Sequence, residues 1–472
     1  MTVDRMSPLD AFFLYAEDDG VNHMHLGGLI TLDDNPPPHP QILAFVASRL
    51  VNIPRYRQIL RQVPFDLGRP VWVDDPHFDI SYHIRRSALP TPGGPEQLRT
   101  LFERVMSQRL DRTRPLWELW VVEGLSDGGW AIISKTHHAM VDGVSGTELL
   151  GELFSTDPHT PEVADRGAVE PTPPVTSLPS DRQLLADAVA GLVRSPVEQV
   201  RALTGVLRAP RNALNTAGAT WGMSTRIARR NVVSSLNGRV GPNRRFAYQH
   251  RSLEDIRTIR EGLGGTINDV VLAAATQGFR EFLLSRDEPV EGRTIRTLIP
   301  VAMHARDERG TAVGSGKTEN RVTGMFAELP VGIEDPAACL REISEQLHDL
   351  KESGGAEAGS ALTRVSEHAP AALFALGVRV SGRTGQGNVN TTITNVPGPK
   401  VPLYVLGRQV THIWAYPPPF PVGARTAIGV YSYLGNVHFG VSADYSSVPD
   451  VDAIASGMQH GFDKLLNAIP DQ

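Results

Sequence analysis

The segment that most constrains the fold runs from Trp130 to Phe154, where an apolar strand leads into two histidines, an aspartate and a glycine, and then into a helix. Trp117 to Val122 and Trp130 to Thr136 read as two strands, because both are apolar and turn residues separate them. Val144 to Phe154 has helical spacing. A strand pair that feeds a helix predicts an α/β fold.

The polar residues at the end of this strand are His137, His138, Asp142 and Gly143. Histidine titrates near neutral pH, so it can accept a hydroxyl proton when an alcohol attacks. Asp142 could orient the loop through hydrogen bonds, and Gly143 lets the backbone turn sharply before the helix. Neighbouring residues of a strand point in opposite directions, so one of the two histidines is predicted to be supporting.

Two other interpretations of this cluster were weighed against catalysis. Two histidines and an aspartate could ligate a metal ion, but no glutamate follows at helical spacing and no second cysteine or histidine cluster is nearby in sequence. We therefore predict no metal. The remaining alternative is that the two histidines are a hydrogen-bonded structural pair. That interpretation suits any lone histidine, whereas two histidines at a strand end followed by Asp-Gly form a more specific pattern.

The length of 472 residues predicts two domains. We predict an N-terminal domain over 1–155, a proline-rich linker and basic helical crossover over 156–245, and a C-terminal domain over 246–472. The patterns of the C-terminal part predict the helices Leu253–Leu263, Ile267–Leu284, Pro336–Lys351 and Asp452–Ala468, and strands that include Val389–Val396 and Val401–Ile413.

Residues 191–251 contain eleven arginines and one acidic residue, Glu198. Arg194, Arg201 and Arg208 recur every seven residues beside apolar ones, which on a helix gives a basic stripe next to an apolar stripe. This pattern fits a helix that contacts anionic lipid or the phosphates of coenzyme A. It also fits a connecting helix whose arginines lie in water.

Composition narrows the partners and the compartment. The net charge of −6 gives no reason to expect nucleic acid. No apolar stretch is long enough to span a membrane, and a single cysteine, Cys339, indicates a reducing compartment and is expected to be a buried, inert thiol. We expect a cytoplasmic protein.

The segment HHAMVDG resembles the HHxxxDG signature of coenzyme A-dependent acyltransferases shaped like chloramphenicol acetyltransferase. Other segments, in the expected order along nearly the whole chain, resemble one branch, the bacterial wax ester synthase/diacylglycerol acyltransferase family. They are Ser7-Pro8-Leu9-Asp10, Pro115-Leu116-Trp117, Asn268-Asp269 and Thr394-Asn395-Val396-Pro397-Gly398-Pro399.

The resemblance implies a two-domain fold in which each half is a mixed sheet with helices and a tunnel lies between the halves. It implies acyl-CoA as co-substrate, no permanently bound cofactor, and diacylglycerol or a fatty alcohol as acceptor. His138 would be the general base in a ternary complex without an acyl-enzyme, supported by His137, Asp142 and Gly143. Asn268 would be either an oxyanion donor or a structural residue such as a helix cap.

Two alternatives to this function remain open. One is an acyltransferase that esterifies a specialised, polyketide-like alcohol. The other is a catalytically weak homologue that only binds acyl-CoA or lipid. Long-chain acyl-CoA and diacylglycerol or a fatty alcohol are lipids. Together with the arginine stripe, such substrates lead us to expect peripheral association with an anionic inner membrane or a lipid droplet.

Overall fold

The computed structural model describes residues 4–18, 20–140, 148–159, 178–194, 234–302, 322–352, 375–376, 378–379, 389–421 and 423–470. Their α-helices are α1 (Pro8–Ala16), α2 (His39–Arg49), α3 (Ile80–His83), α4 (Pro95–Ser107), α5 (Glu148–Leu153), α6 (Asp181–Arg194), α7 (Leu253–Leu263), α8 (Ile267–Leu284), α9 (Pro336–Glu352) and α10 (Val451–Asn467).

The strands form two six-stranded sheets and a small three-stranded one. They are β1 (Asp4–Arg5), β2 (His25–Leu32), β3 (Gln58–Arg61), β4 (Val71–Asp74), β5 (Ile84–Ala88), β6 (Trp117–Glu123), β7 (Trp130–His137), β8 (Arg244–Ser252), β9 (Ile295–Ala302), β10 (Val322–Leu329), β11 (Thr391–Val396), β12 (Tyr404–Val405), β13 (Arg408–Tyr416), β14 (Thr426–Tyr433) and β15 (Asn436–Asp444). The predicted mixed α/β class is confirmed.

The first large sheet has the strand order β12-β13-β2-β7-β6-β5, and the second has the order β10-β9-β11-β14-β15-β8. Strands β12 and β13 belong to the second half of the sequence yet join the first sheet. β13 pairs antiparallel with β2, with Val410 opposite Leu32 and Tyr416 opposite Gly27. Strand β11 ends at Val396, so the Pro397–Pro399 segment lies where the chain passes from one sheet to the other. The predicted domain boundaries at 155 and 245 stay a prediction.

Most elements of the second half have the predicted type, and Leu253–Leu263 and Ile267–Leu284 have the predicted bounds. The single strand predicted over Val401–Ile413 is wrong. Leu406 and Gly407 have φ of 49° and 82°, so the backbone turns there and separates β12 from β13. The sequence pattern did not predict this break, because the residues on both sides of the turn are apolar.

Each large sheet has its own apolar core, and a third cluster joins the two halves. In that third cluster Phe102 of α4 stacks against Phe246 of β8 with ring centroids 4.5 Å apart, and Tyr416 of β13 packs beside both. Glu103 of α4 accepts a hydrogen bond from the Phe246 N–H at 2.9 Å. Among the described residues, no helix is long and apolar enough to cross a membrane.

Candidate active site

Strand β7 ends at His137, and a single 3-10 turn, His138–Met140, follows it. The two histidines leave the strand in different directions, as we expected. His137 is 1% exposed and faces Glu17, whereas the His138 ring is partly exposed and lies against Phe13. The structure therefore separates a buried histidine from one that can meet a substrate.

His137 is held on both ring nitrogens. Its Nδ1 accepts the Ala139 N–H at 3.0 Å, and its Nε2 lies 2.8 Å from Glu17 Oε2. A nitrogen that accepts a hydrogen bond carries no proton, so the proton is on Nε2 and is donated to the carboxylate. This contact with Ala139 fixes the backbone of the turn that carries His138.

Glu17 lies directly after α1 and is 2% exposed. Besides His137, it contacts Arg112 at 3.1 Å, and both His23 and His25 have a nitrogen 3.6 Å from its Oε1. Burial alone would raise the pKa of Glu17, but the hydrogen bond from His137 and the nearby His23 hold it well below its usual range. The carboxylate is thus ionised at neutral pH beneath the His138 turn.

His138 is fixed by its backbone and by one ring contact. Its N–H donates to Met24 O at 2.8 Å, and its ring stacks on Phe13 with centroids 3.6 Å apart and planes 19° apart. Burial lowers the pKa of His138 to about 4. Its Nδ1 is buried without a hydrogen-bond partner in the part of the chain that the structure describes. The imidazole is therefore neutral at pH 7 and able to accept a proton.

The Ser7-Pro8-Leu9-Asp10 motif begins helix α1, which carries Phe13. Ser7 is the N-cap, its Oγ accepting the Asp10 N–H at 3.1 Å and donating to the Asp10 carboxylate at 2.5 Å. Proline at the first helical position suits the fixed φ of that residue. The motif thus sets the start of the helix that places a ring against His138.

Asn268 is the second residue of α8 and lies away from the histidine pair in sequence. Its Oδ1 accepts a hydrogen bond from Asn395 Nδ2 at 3.1 Å, which joins two of the motifs quoted above. The helix cap is Thr266, whose hydroxyl accepts the Asp269 N–H while Asp269 accepts the Thr266 N–H. The alternative of Asn268 as an N-cap is therefore wrong, since the capping position is Thr266, two residues earlier in the chain.

The remaining predicted residues divide between buried and undescribed ones. Asp142 and Gly143 lie outside the described residues, as do the arginines from 201 to 230. Arg244 is buried and donates to Val21 O at 3.2 Å, while Arg251 pairs with Asp255 and Asp463. Arg244 and Arg251 therefore serve the fold and are not free to meet a lipid surface.

Trp117 and Cys339 are core residues. Trp117 is fully buried and its Nε1 donates to Tyr56 O at 2.8 Å. Burial raises the pKa of the Cys339 thiol to about 12, so the thiol stays protonated and is inert, as predicted. Within the described ranges, no group of three or more His, Cys, Asp or Glu side chains could hold a metal ion.

Sequence reasoning missed Glu17 and Phe13. A signal for the glutamate existed, because His23 and His25 are two residues apart at the start of an apolar strand and therefore share one face with a common partner. No local pattern identifies Phe13, whose role depends on how α1 packs on the His138 turn.

Comparison with known families gives two matches. Residues 6–271 match the family described as the wax ester synthase/diacylglycerol acyltransferase catalytic domain, and residues 318–466 match the WS/DGAT C-terminal domain. A probable diacylglycerol O-acyltransferase, tgs1 of Mycobacterium tuberculosis, is 35% identical over 98% of this chain and 96% of its own. A second one from that organism, tgs2, is 31% identical over 99% of this chain and 100% of its own.

Solved structures show the same architecture. The wax ester synthase/diacylglycerol acyltransferase from Marinobacter aquaeolei VT8 superposes with a TM-score of 0.66 and 25% identity, covering 98% of both chains. The first condensation domain of the calcium-dependent antibiotic synthetase superposes with a TM-score of 0.60 and 13% identity, covering 100% of this chain and 99% of its own. At that identity the second likeness concerns the fold alone.

Proposed function

The chain belongs to the wax ester synthase/diacylglycerol acyltransferase family, and from this premise we propose that it transfers a long-chain fatty acyl group from acyl-CoA to an alcohol. The acceptor in this proposal is the free hydroxyl of diacylglycerol, or a fatty alcohol. The names of the two mycobacterial relatives support diacylglycerol, and the Marinobacter protein's name supports both. The observation that carries the proposal is a neutral, partly exposed His138 on a turn that Glu17 and His137 fix.

The proposed reaction is a direct transfer with no acyl-enzyme. Because Nδ1 of His138 is buried, Nε2 is the nitrogen that accepts the hydroxyl proton. The alcohol oxygen forms a bond to the thioester carbonyl carbon. The tetrahedral intermediate then expels the thiolate of coenzyme A, and this thiolate accepts the proton that His138 took from the alcohol. The products are an ester and free coenzyme A. A pKa near 4 makes His138 a weak base, so positioning and charge stabilisation must supply much of the rate enhancement.

Charge stabilisation is the role proposed for Asn268. Its Oδ1 is occupied by Asn395, which leaves its two amide N–H groups to donate to a developing oxyanion. Asp142 is proposed to orient the loop after His138, and Gly143 to permit its turn into α5. A variant Asn268→Ala that loses thermal stability and keeps kcat would assign Asn268 to structure instead.

The test is release of coenzyme A from palmitoyl-CoA with diacylglycerol or hexadecanol as acceptor. In His138→Ala we expect the acceptor-dependent rate to fall on the order of 10²- to 10⁴-fold, as for loss of a general base. His348→Ala is the control, because His348 is an exposed histidine on α9 that pairs with Glu352. An unchanged rate in His138→Ala would refute the role of His138 as the base. No release with any alcohol in wild type would favour a lipid-binding protein.

We also propose that the protein works from the surface of an anionic membrane or a lipid droplet. Its proposed substrates reside in lipid, and residues 194–230 contain seven of the eleven arginines of the basic stretch.

A further inference from the structure

A cavity of about 240 Å³ lies between helix α5 and the first sheet. Its floor is a row of three small residues directly opposite one another on β13, β2 and β7, namely Ala415, Gly28 and Ser134. Residues that are paired across strands project to the same face of a sheet. Three small side chains in one row therefore leave a depression in the sheet surface.

The next row on the same face is bulky and closes one end of the depression. It consists of Ile413, Ile30 and Ile132, paired in the same order on the same three strands. In the other direction the strand runs toward the catalytic turn. Ser134 precedes His138 by four residues, so a molecule that reaches from His138 to the row must extend about 13 Å along β7.

The roof and mouth of the cavity are also apolar. Leu150, Gly151 and Phe154 contribute from α5 and the residue that follows it, and Tyr431 contributes from the second sheet. Among the residues that the structure describes, no charged one lines this cavity. A lining of this kind favours a hydrocarbon chain and disfavours a phosphate or a glycerol headgroup.

Gly151 is an exposed residue that lies at the mouth of the cavity. Among the described residues, no atom of another residue lies within 4 Å of a Cβ built on it, and its φ is not in the left-handed region. Gly27, by contrast, could not accept a side chain, because its Cβ would lie 2.4 Å from Ser134 O. A side chain at position 151 would therefore meet no described atom and could extend across the mouth of the cavity.

We propose that this cavity holds the far end of a substrate hydrocarbon chain, and that the small residues Gly151, Gly28 and Ser134 determine the chain length that fits. The inference rests on the acyltransferase function proposed above. The chain is either the acyl tail of the thioester or the alkyl tail of the alcohol, and the two belong to the same chemical class.

The test compares wild type with Gly151→Leu in two series. One varies acyl-CoA from octanoyl to stearoyl with a fixed acceptor, and the other varies the primary alcohol over the same lengths with palmitoyl-CoA. In the series whose tail occupies the cavity, we expect kcat/KM for the longest chain to fall about 10-fold relative to the shortest. The series that shifts identifies the tail.

Two further variants accompany Gly151→Leu, one as a control for the added side chain and one as a second test of the cavity. Glu152→Leu adds the same side chain to the neighbouring helical position, where Glu152 accepts a hydrogen bond from Asn52 instead of lining the cavity, and it should leave both profiles unchanged. Ser134→Val fills the cavity from the opposite wall and should reproduce the shift. Melting temperatures establish that each variant is folded.

Folded, active Gly151→Leu and Ser134→Val enzymes with unchanged profiles in both series would overturn the inference. Absence of turnover in wild type would instead overturn the proposed function. In that case the rise in melting temperature caused by each acyl-CoA and each alcohol replaces kcat/KM as the readout. The inference then requires that Gly151→Leu removes stabilisation by the long chains and keeps that by the short ones.

Discussion

At the residue scale, two adjacent histidines have different surroundings because successive side chains of a strand point to opposite faces. His137 enters a buried polar cluster and fixes a backbone turn through Ala139. His138 leaves that cluster, and burial against Phe13 keeps it unprotonated. Since the pKa of His138 is about 4, below the usual value of about 6.5, the acid limb of kcat/KM should lie well below the range of an ordinary histidine.

Glu17 is predicted to be a positioning residue for His138. In Glu17→Gln the negative charge that holds His137 and Arg112 is lost, so the turn loses its fixed geometry. We expect kcat to fall on the order of 10²-fold with little change in KM, because a small displacement of a catalytic group has an effect of this size. Steady-state kinetics and urea unfolding measure the two consequences.

The matched control for this prediction is Glu118→Gln. Glu118 is also a buried glutamate that pairs with an arginine, Arg85 at 3.1 Å, but its other partner is Trp120 instead of the catalytic turn. Both variants are expected to lose roughly 1 to 3 kcal/mol of unfolding free energy. Equal losses of kcat in the two variants would mean that Glu17 acts only through stability.

At the element scale, helix α1 links a local sequence signal to the candidate active site. Ser7 and Pro8 define where the helix begins, and the helical rise then places Phe13 against His138. A second device of this kind fixes α4, whose C-terminal carbonyls of Val105 and Gln108 accept hydrogen bonds from the buried Lys135 amine. Both contacts connect a helix to strand β7 or to the turn that follows it.

Removal of the α1 cap should therefore affect both stability and catalysis. In Ser7→Ala we expect a loss of about 1 kcal/mol of unfolding free energy, the usual cost of an N-cap serine, together with a lower kcat. Ser252→Ala removes the equivalent cap of α7, where the Ser252 hydroxyl accepts the Glu254 N–H, and should cost similar stability without lowering kcat. Chemical denaturation and the coenzyme A release assay would contradict the prediction if the two variants behaved alike.

At the scale of the whole molecule, the proposed peripheral lipid binding would depend on charge that is concentrated in one part of a chain of net charge −6. We expect the protein to sediment with anionic vesicles and to be released by high salt, because salt screens exposed charges. Replacement of Arg194, Arg201 and Arg208 by glutamine should weaken sedimentation.

Glutamine at Arg257, Arg260 and Arg341 is the matched control for this prediction. Arg260 and Arg341 are exposed and Arg257 is partly exposed, all three lie on α7 or α9 outside the basic stretch, and their replacement changes the net charge by the same amount. Equal loss of binding in both triple variants would show that overall charge, and not the stretch, governs the contact. Binding that high salt leaves unchanged would exclude the arginines as the anchor.

The sequence by itself determined what depends on short-range periodicity and on motif order. Helices Leu253–Leu263 and Ile267–Leu284 were predictable because caps and an apolar face lie within the segment. The His137–His138 pair could also be identified from the sequence, since a strand that ends in polar residues is a local pattern. The order of the motifs indicated the family.

Only the tertiary structure decided what depends on contacts between distant residues. Glu17 meets His137 across 120 positions, and β13 leaves its own half to pair with β2, because partners of this kind are selected by packing and not by spacing. The cavity has the same origin. Gly28, Ser134 and Ala415 are unremarkable in sequence, and they form one floor only because the register of three strands aligns them beneath Gly151.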